Sequence, residues 1–294
     1  MATPRFTIIT ASYNQSTFLE AAIRSVLEQH RSDVEHVVLD GGSTDGSVEV
    51  LRRYDRSLAY WVSTPDGGQP AAWNAGVRRA RGAIVGFLNS DDLYMAGALD
   101  EIAKLADANA EAEWLIGGTK YFGEGSGDLS YPGVSPVRAS QVLYFEAYAP
   151  QPGHFWRRAL IDRVGPFDET MRFSFDLDFF VRCALAGARA ASTSRVIAAF
   201  RFHAASKTAT INDVQVAETR AVEARHWPAI ERRDGVRARL ARANYHGHLA
   251  LRDVRLEKRS GAAWRHLGVA LRRYPSLLTT RALYGTIQRL LGLR

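Results

Sequence analysis

Through the first hundred residues, short apolar runs alternate with stretches in which apolar positions recur every three to four residues. Phe6-Thr7-Ile8-Ile9-Thr10 reads as a strand. Leu19, Ala22, Ile23, Val26 and Leu27 then fall on one face of a helix that Ser16 or Thr17 is placed to cap. Val34 to Leu39 predicts a second strand, Val48 to Tyr54 a helix, Ala59 to Ser63 a third strand and Pro70 to Arg81 another helix. Ala83-Ile84-Val85-Gly86-Phe87-Leu88 is almost continuously apolar, as a strand buried on both faces must be. Strands alternating with helices of this length predict an α/β fold with a mostly parallel sheet and crossover helices. The polar clusters 10–14, 40–45, 66–69 and 89–92 each follow a predicted strand. They are therefore expected to gather at one sheet edge, where open α/β sheets bind ligands.

From about 96 to 150 the pattern loosens, and 123–130 reads as a loop or hairpin. Phe173 to Leu185 returns to helical spacing, Val196 to Phe202 reads as a late strand, and the chain beyond Asn212 looks helical nearly throughout. The expected organisation is an α/β domain over 1–211 and a helical C-terminal extension over 212–294.

With 294 residues, 46% of them hydrophobic and 23% charged, the chain can bury a sizeable core, which excludes disorder as its main state. No stretch approaches the roughly 20 apolar residues that a membrane-spanning helix needs. The first residues lack the apolar block of a secretory leader. Cys183 is the sole cysteine, so an intrachain disulfide and a Cys-rich zinc site are excluded, and a reducing cytoplasm is the simplest compartment. The net charge of +7 is unevenly spread: residues 212–294 hold 17 Lys+Arg against 7 Asp+Glu, and the remainder 21 against 24. The basic character belongs to the extension, where nucleic acid or an anionic membrane surface is the kind of partner it would attract.

Several clusters carry candidate chemistry. Asp91-Asp92 follows the most apolar strand; adjacent carboxylates repel unless a cation or solvent offsets them, which suits a hard divalent ion shared with substrate phosphates. A solvated helix-capping turn is the plainer alternative. In Asp40-Gly41-Gly42-Ser43-Thr44-Asp45-Gly46 the glycines let backbone approach a ligand, and Asp40 is placed to accept from a base or ribose. The same loop partly matches the acidic-x-Gly-x-Gly-x-Gly loop of S-adenosylmethionine methyltransferases, with Thr44 at the middle glycine position; an ordinary strand-to-helix loop is a third reading. Asp176-Leu177-Asp178 opens a helix, where a carboxylate acts as general base or as a cap. His203 follows a strand among polar neighbours. Neither a dinucleotide-binding Gly-x-Gly-x-x-Gly nor a Gly-Lys-Ser/Thr phosphate loop is present.

Seven segments, in order, carry a resemblance: Ile8-Ile9-Thr10-Ala11-Ser12-Tyr13-Asn14-Gln15; Val38 through Ser47; Asp66-Gly67-Gly68-Gln69 with Trp73-Asn74-Ala75-Gly76; Gly86 through Asp92; Gly165-Pro166-Phe167-Asp168-Glu169; Asp176 through Arg182; and Arg201-Phe202-His203. Over roughly residues 5–210 the chain resembles a family 2 inverting glycosyltransferase of the GT-A fold, a Rossmann-like, mostly parallel sheet flanked by helices. The resemblance implies that Thr10, Tyr13 and Asp40 hold the nucleotide base and that Asp66 and Asn74 line the donor site. Ser90 lies with Asp91 on the donor side, Asp91 facing the ribose or sugar. Asp92 is implied to bind Mg²⁺ or Mn²⁺ across the donor diphosphate, and His203 to approach the metal or diphosphate. Phe175 replaces the acid that precedes the family's base while Asp176 keeps the Asp, so the base is assigned to Asp176, with Asp178 as the alternative. Ala11 departs from the usual proline, and Asn89 from the leading acid of the metal motif.

The implied reaction is a single displacement with inversion. It moves a sugar from a nucleoside-diphosphate donor, UDP being the family's commonest, to a glycan or lipid-linked glycan acceptor in bacterial surface-polysaccharide assembly. In the extension, Leu267, Leu271, Leu278, Leu283, Ile287 and Leu290 alternate with Arg265, Arg272, Arg273, Arg281 and Arg289. Such helices either pack on the catalytic domain or lie on an anionic membrane at the inner face of the cell. Competing readings are a sugar-nucleotide or glycan-binding module without turnover, which Asp92 and Asp176 together argue against, and the methyltransferase, which leaves Asp91-Asp92 and Asp176 unexplained. Basic charge confined to the extension makes nucleic acid an unfavoured partner.

Overall fold

Nine strands among the described residues form one mixed sheet. The computed structural model describes residues 3–124, 127, 129–147, 149–204, 206 and 213–256, and beyond these 264, 267–268, 271–272 and 287–288. Strands β1 (Phe6–Ser12), β2 (Val34–Asp40), β3 (Tyr60–Ser63) and β4 (Ile84–Phe87) run parallel, connected by helices α1 (Ser16–Leu27), α2 (Ser47–Arg53) and α3 (Gln69–Arg79). Then come β5 (Leu93–Tyr94), α4 (Ala98–Ala108), β6 (Trp114–Gly123), β7 (Ser130–Tyr131), α5 (Ala139–Leu143), β8 (His154–Arg157), α6 (Arg158–Val164), α7 (Phe175–Leu185) and β9 (Ala190–Phe202). Helices α8 (Asp213–Asp234) and α9 (Val236–Leu256) follow.

The sheet order is β3-β2-β1-β4-β8-β6-β9-β5, with β7 paired to β6. Strand β8 is antiparallel to both β4 and β6, and β9 is parallel to β6, so β6 and β9 point the same way as β1–β4. The carboxyl ends of six strands therefore share one edge, which is the convergence expected from the four polar clusters.

Helix α1 buries Leu19, Ala22, Ile23 and Val26, and Leu19 and Ile23 join Val38, Val50, Leu51 and Leu58 in one core cluster. Its N-terminus is not capped by its own Ser16 or Thr17. The Ser16 N–H instead donates to Asp45 Oδ2 at 2.8 Å, so the loop before α2 supplies the cap. Helix α3 sits so close to β1 that a Cβ at Gly76 would fall 2.4 Å from Ile9 Cγ2, and only glycine permits that approach. A second core joins Phe6, Ile8, Ile84 and Leu88 to Leu99, Ile102, Leu115, Phe155 and Ile197. Burying each such side chain contributes roughly 1.5–3 kcal/mol relative to exposure.

The stretch that looks loose in sequence contains α4 and β6, the latter among the longest strands, and β9 begins at Ala190, six residues before the expected start. The hairpin expected near 123–130 is the β6–β7 pairing.

The chain forms two compact units, 1–137 with 147–226, and 138–146 with 227–294. The expected division is at 211/212; in the structure, residues 213–226 group with the sheet and 138–146 with the C-terminal helices. In the second unit, the Ser140 N–H donates to Asp234 Oδ2 at 2.9 Å, the Tyr144 ring meets Trp227 and Tyr245, and Arg242 lies 4.3 Å over the Trp227 ring. Of the residues expected to form amphipathic faces, Leu267 is buried, and Leu271 and Ile287 are half-buried; Leu278, Leu283, Leu290, Arg265, Arg273, Arg281 and Arg289 lie outside the described residues. Among the described residues no helix is long and apolar enough to cross a membrane.

Candidate active site at the carboxyl edge of the sheet

Parallel register places Ser12, Asp40 and Ser63 in one row at the ends of β1, β2 and β3. Asp40 is buried, and both its oxygens serve the loop that follows: Oδ2 accepts from the Ser43 N–H (2.8 Å) and Ser63 Oγ (2.6 Å), and Oδ1 from Ser43 Oγ (2.6 Å). Ser43 Oγ in turn accepts from the Asn14 N–H, and Asn14 Oδ1 from the Thr44 N–H, so the loops after β1 and β2 interlock. Burial raises the Asp45 carboxyl, but hydrogen bonds from Ser47 and Ser16 outweigh it and hold the group down to about 2.

Asp40 is thus the organiser of this edge, not a free acceptor for a base. Thr10 also departs from expectation: it is fully buried, its hydroxyl within 3.0 Å of His36 Nε2 inside the sheet. Tyr13, by contrast, is 63% exposed, and Asp66 is exposed beside it at the same edge.

The end of β4 separates the two carboxylates by role. Asp92 is 1% exposed; Oδ1 accepts from the Arg201 N–H (2.8 Å) and Oδ2 from Asn89 Nδ2 (3.0 Å). Burial, and then the Asp91 charge, push its carboxyl well above the usual range against those two donors. Asn89 stands where the resemblance calls for an acid because it donates to Asp92, where a second carboxylate would repel. Gln69 Nε2 donates to Asn89 Oδ1 at 2.7 Å. Ser90 is buried.

The side chain that faces outward is Asp91, 20% exposed, with Oδ2 3.1 Å from His203 Nε2. Metal coordination expected of Asp92 therefore meets a group enclosed by protein donors, whereas Asp91 and His203 stand together and are both partly exposed. Arg201 supports both: its Nε donates to the Asp91 carbonyl at 2.9 Å, and its guanidinium is held between the rings of Phe18 (4.7 Å) and Phe122 (4.3 Å). The Phe18 ring also lies 4.7 Å from that of His203.

Helix α7 is tied to this edge by aromatic packing. Phe175, its first residue, meets Trp73 at 5.3 Å, and Trp73 stacks at 4.6 Å on Phe87, the last residue of β4. Asp176, next to Phe175, is half-buried, with Oδ1 accepting from the Leu177 N–H. Asp178 is 1% exposed and is paired with Arg182 (2.7 Å), His226 (2.8 Å) and Arg225 (3.1 Å). Burial alone would raise its carboxyl, but His226 and Arg182 hold it to about 2, and a carboxylate so stabilised is a poor proton acceptor. The alternative base is thereby disfavoured on geometry.

Asn74 does not line a ligand surface either. Nδ2 donates to the Phe167 carbonyl and Glu169 Oε1, and Oδ1 accepts from the Phe167 N–H, so the side chain pins the segment leading into α7.

Sequence reading assigns no role to Glu218, or to Arg201 within the Arg201-Phe202-His203 segment. From α8, Glu218 accepts from three successive N–H groups, those of Arg172, Phe173 and Ser174, at 2.7–2.9 Å, immediately before α7. No local sequence signal marks a contact across more than 40 residues. Arg201 was detectable in principle, since it lies two residues before His203. Among the described residues no cluster of three or more His, Cys, Asp or Glu forms a ready metal cage.

Residues 7–156 match Glycosyl transferase family 2. An uncharacterised glycosyltransferase of Mycobacterium tuberculosis is 30% identical over 188 residues, 62% of this chain and 70% of that one. A PGL/p-HBAD biosynthesis glycosyltransferase of the same species is 30% identical over 192 residues, 62% and 71%. Two crystal structures share the fold: S. aureus TarS 1-349 in complex with UDP-GlcNAc (TM-score 0.60, 18% identity, 93% of this chain and 91% of that one), and the mannosyltransferase PcManGT of Pyrobaculum calidifontis in complex with GDP-Man and Mn²⁺ (0.54, 22%, 100% and 75%). The fold, the interlocked loops at the sheet edge and the sequence match agree, and the methyltransferase and non-catalytic readings fall away. The chain belongs to glycosyl transferase family 2 and is a sugar-transferring enzyme that uses a nucleotide-sugar donor.

Proposed function

We propose that this enzyme moves a sugar, with inversion, from a UDP-sugar to a hydroxyl of a glycan or lipid-linked glycan acceptor in surface-polysaccharide assembly. The observation that carries the proposal is the outward-facing Asp91–His203 pair at the end of β4 and β9, with Asp176 on the helix that Trp73 and Phe87 tie to that edge.

The pair suits a divalent ion. Its oxygen and nitrogen are 3.1 Å apart, and two neighbouring ligands of an octahedral ion at about 2.1 Å are separated by about 3 Å. Diphosphate oxygens and water would supply the ion's other ligands. Mg²⁺ or Mn²⁺ bound by Asp91 and His203 would neutralise charge developing on the departing diphosphate. The role earlier given to Asp92 passes to Asp91, with Asp92 fixing the Arg201 backbone and the Asn89 side chain beneath it.

Asp176 takes the proton of the acceptor hydroxyl while that oxygen bonds to the anomeric carbon. The bond to the diphosphate oxygen breaks in the same displacement, so the configuration inverts. General-base help of this kind contributes about 10²–10⁴-fold. The basic extension suits contact with an anionic membrane at the inner face of the cell, and flotation with anionic vesicles at low salt tests it. Release of nucleoside diphosphate from a panel of UDP- and GDP-sugars with Mn²⁺ tests the function. Release from a UDP-sugar that is lost in Asp176→Asn supports it; release unaffected by that substitution would move the base elsewhere.

A further inference from the structure

The engagement of Asp40 raises the question of what reads the nucleotide base. Its two oxygens hold Ser43 and Ser63, and Thr10, the second expected base contact, is enclosed with His36. The next residue along the row, Gly41, has no side chain, and two exposed side chains border the space this leaves. A Cβ built there would lie 3.3 Å from Asp66 Oδ1 and 3.3 Å from Tyr13 Cδ2. Gly41 thus forms the floor of a notch bordered by the exposed Tyr13 ring and the exposed Asp66 carboxylate.

The notch is built. The Gly41 N–H donates to the Ser12 carbonyl and the Thr64 N–H to the Asp40 carbonyl, fixing its floor and the strand end leading to Asp66. Asp66 Oδ1 accepts from the Gly68 N–H at 2.7 Å, which anchors that oxygen and leaves Oδ2 with no described partner. An exposed aromatic ring and a half-satisfied carboxylate bordering one bare glycine floor suit a flat heterocycle with an N–H on its edge.

We infer that Asp66 is the residue that selects the nucleotide base of the donor, by accepting a ring N–H in the notch between Tyr13 and Gly41. This rests on the reading of the edge as the donor site. Uracil and thymine present such a group at N3, and guanine at N1; cytosine and adenine present a ring nitrogen lone pair there, which a carboxylate repels. The selected class is a base with a ring N–H, and uridine is the member that the proposed function names.

The anchored oxygen gives a sharp test. In Asp66→Asn the Gly68 N–H keeps the amide oxygen in the Oδ1 position, so the NH₂ takes the Oδ2 position and the notch changes from acceptor to donor. Calorimetric titration of UDP, dTDP, GDP and CDP, each with Mn²⁺, into wild type, Asp66→Asn and Asp66→Ala reads the ratio of affinities, which a general loss of charge near the diphosphate leaves unchanged. Wild type is expected to bind UDP, dTDP or GDP at least tenfold tighter than CDP. Asp66→Asn should reduce that ratio at least tenfold through weaker binding of the preferred nucleotide and unchanged or tighter binding of CDP, and Asp66→Ala should abolish it. Circular dichroism of both variants checks that the loop change leaves the fold intact. Wild-type discrimination retained in both variants overturns the role of Asp66 while leaving the donor reading standing. Wild type that binds none of the four overturns the donor reading and the assignment with it.

Discussion

Asp91 Oδ2 and His203 Nε2 stand 3.1 Å apart on partly exposed side chains, while the very next carboxylate, Asp92, is enclosed by the Arg201 N–H and Asn89. One sequence motif therefore holds two different jobs, and they are separable. Asp92→Asn places an amide NH₂ against either the Arg201 N–H or the Asn89 amide donor, leaving a buried clash of donors. It should cost about 1–3 kcal/mol of stability in denaturant unfolding. Asp91→Asn, partly exposed, should stay within about 0.5 kcal/mol of wild type. Equal losses in the two variants would contradict the division.

The two acids of α7 are expected to fail differently. Asp176→Asn should fold and bind donor normally yet lose transfer by more than tenfold, which is about 1.4 kcal/mol in barrier. Asp178→Ala leaves Arg182, Arg225 and His226 without their shared carboxylate, and removing one partner of a buried pair costs about 3–5 kcal/mol. The low end applies, because Arg225 reaches solvent. Melting curves beside turnover rates make the comparison.

Glu218 acts on α7 from outside it. Its carboxylate collects three N–H groups just before the helix that carries Asp176. In Glu218→Gln an amide NH₂ faces at least one of these donors, so the segment loosens. Turnover should fall several-fold with donor affinity unchanged. A fall in donor affinity with normal turnover would assign Glu218 to the donor site instead.

Buried His36 makes folding sensitive to mild acid. Burial lowers its pKa from the ordinary value of 6.5 to about 3, so it stays neutral in the folded protein while its unfolded counterpart takes up a proton. Above pH 6.5 both states are neutral and the group contributes nothing to the slope; between about 6.5 and 3 the unfolded state binds more protons and stability falls with pH. Replacing the imidazole in His36→Gln should flatten the dependence by up to one proton, about 1.4 kcal/mol per pH unit. Unfolding free energies from pH 7.5 to 4.5 for both proteins measure the difference; parallel curves would remove His36 as a source.

The parallel half of the sheet was legible because each strand there is a short apolar run ending in polar residues, and each crossover helix shows its 3.6-residue period. The region from 96 to 150 was not: β6 runs Trp114-Leu115-Ile116-Gly117-Gly118-Thr119, and two glycines in a strand look like a loop. They are there because a Cβ at Gly117 would fall 2.3 Å from Ile197 on β9, a long-range constraint invisible locally.

In the candidate site, the motifs converge on one sheet edge, but they do not give the direction of each side chain. Thr10 and Asp92 belong to motifs from which ligand contacts are expected, yet both side chains are buried: Thr10 by alternation along β1 and its contact with His36, Asp92 by the Arg201 N–H. Glycine at 41 carried the opposite lesson: the absence of a side chain there lets Asp66 approach from a different loop.

The most direct test of the account is the thermal stability of wild type and Asp91→Asn with UDP, in Mn²⁺ and in chelator. A ligand at 100 times its dissociation constant stabilises by about 2.7 kcal/mol, enough to move a melting curve visibly. Wild type should shift with UDP only when Mn²⁺ is present, and Asp91→Asn should lose most of that shift. A shift of equal size in chelator, or one that survives intact in Asp91→Asn, would contradict a donor site built on Asp91 and His203.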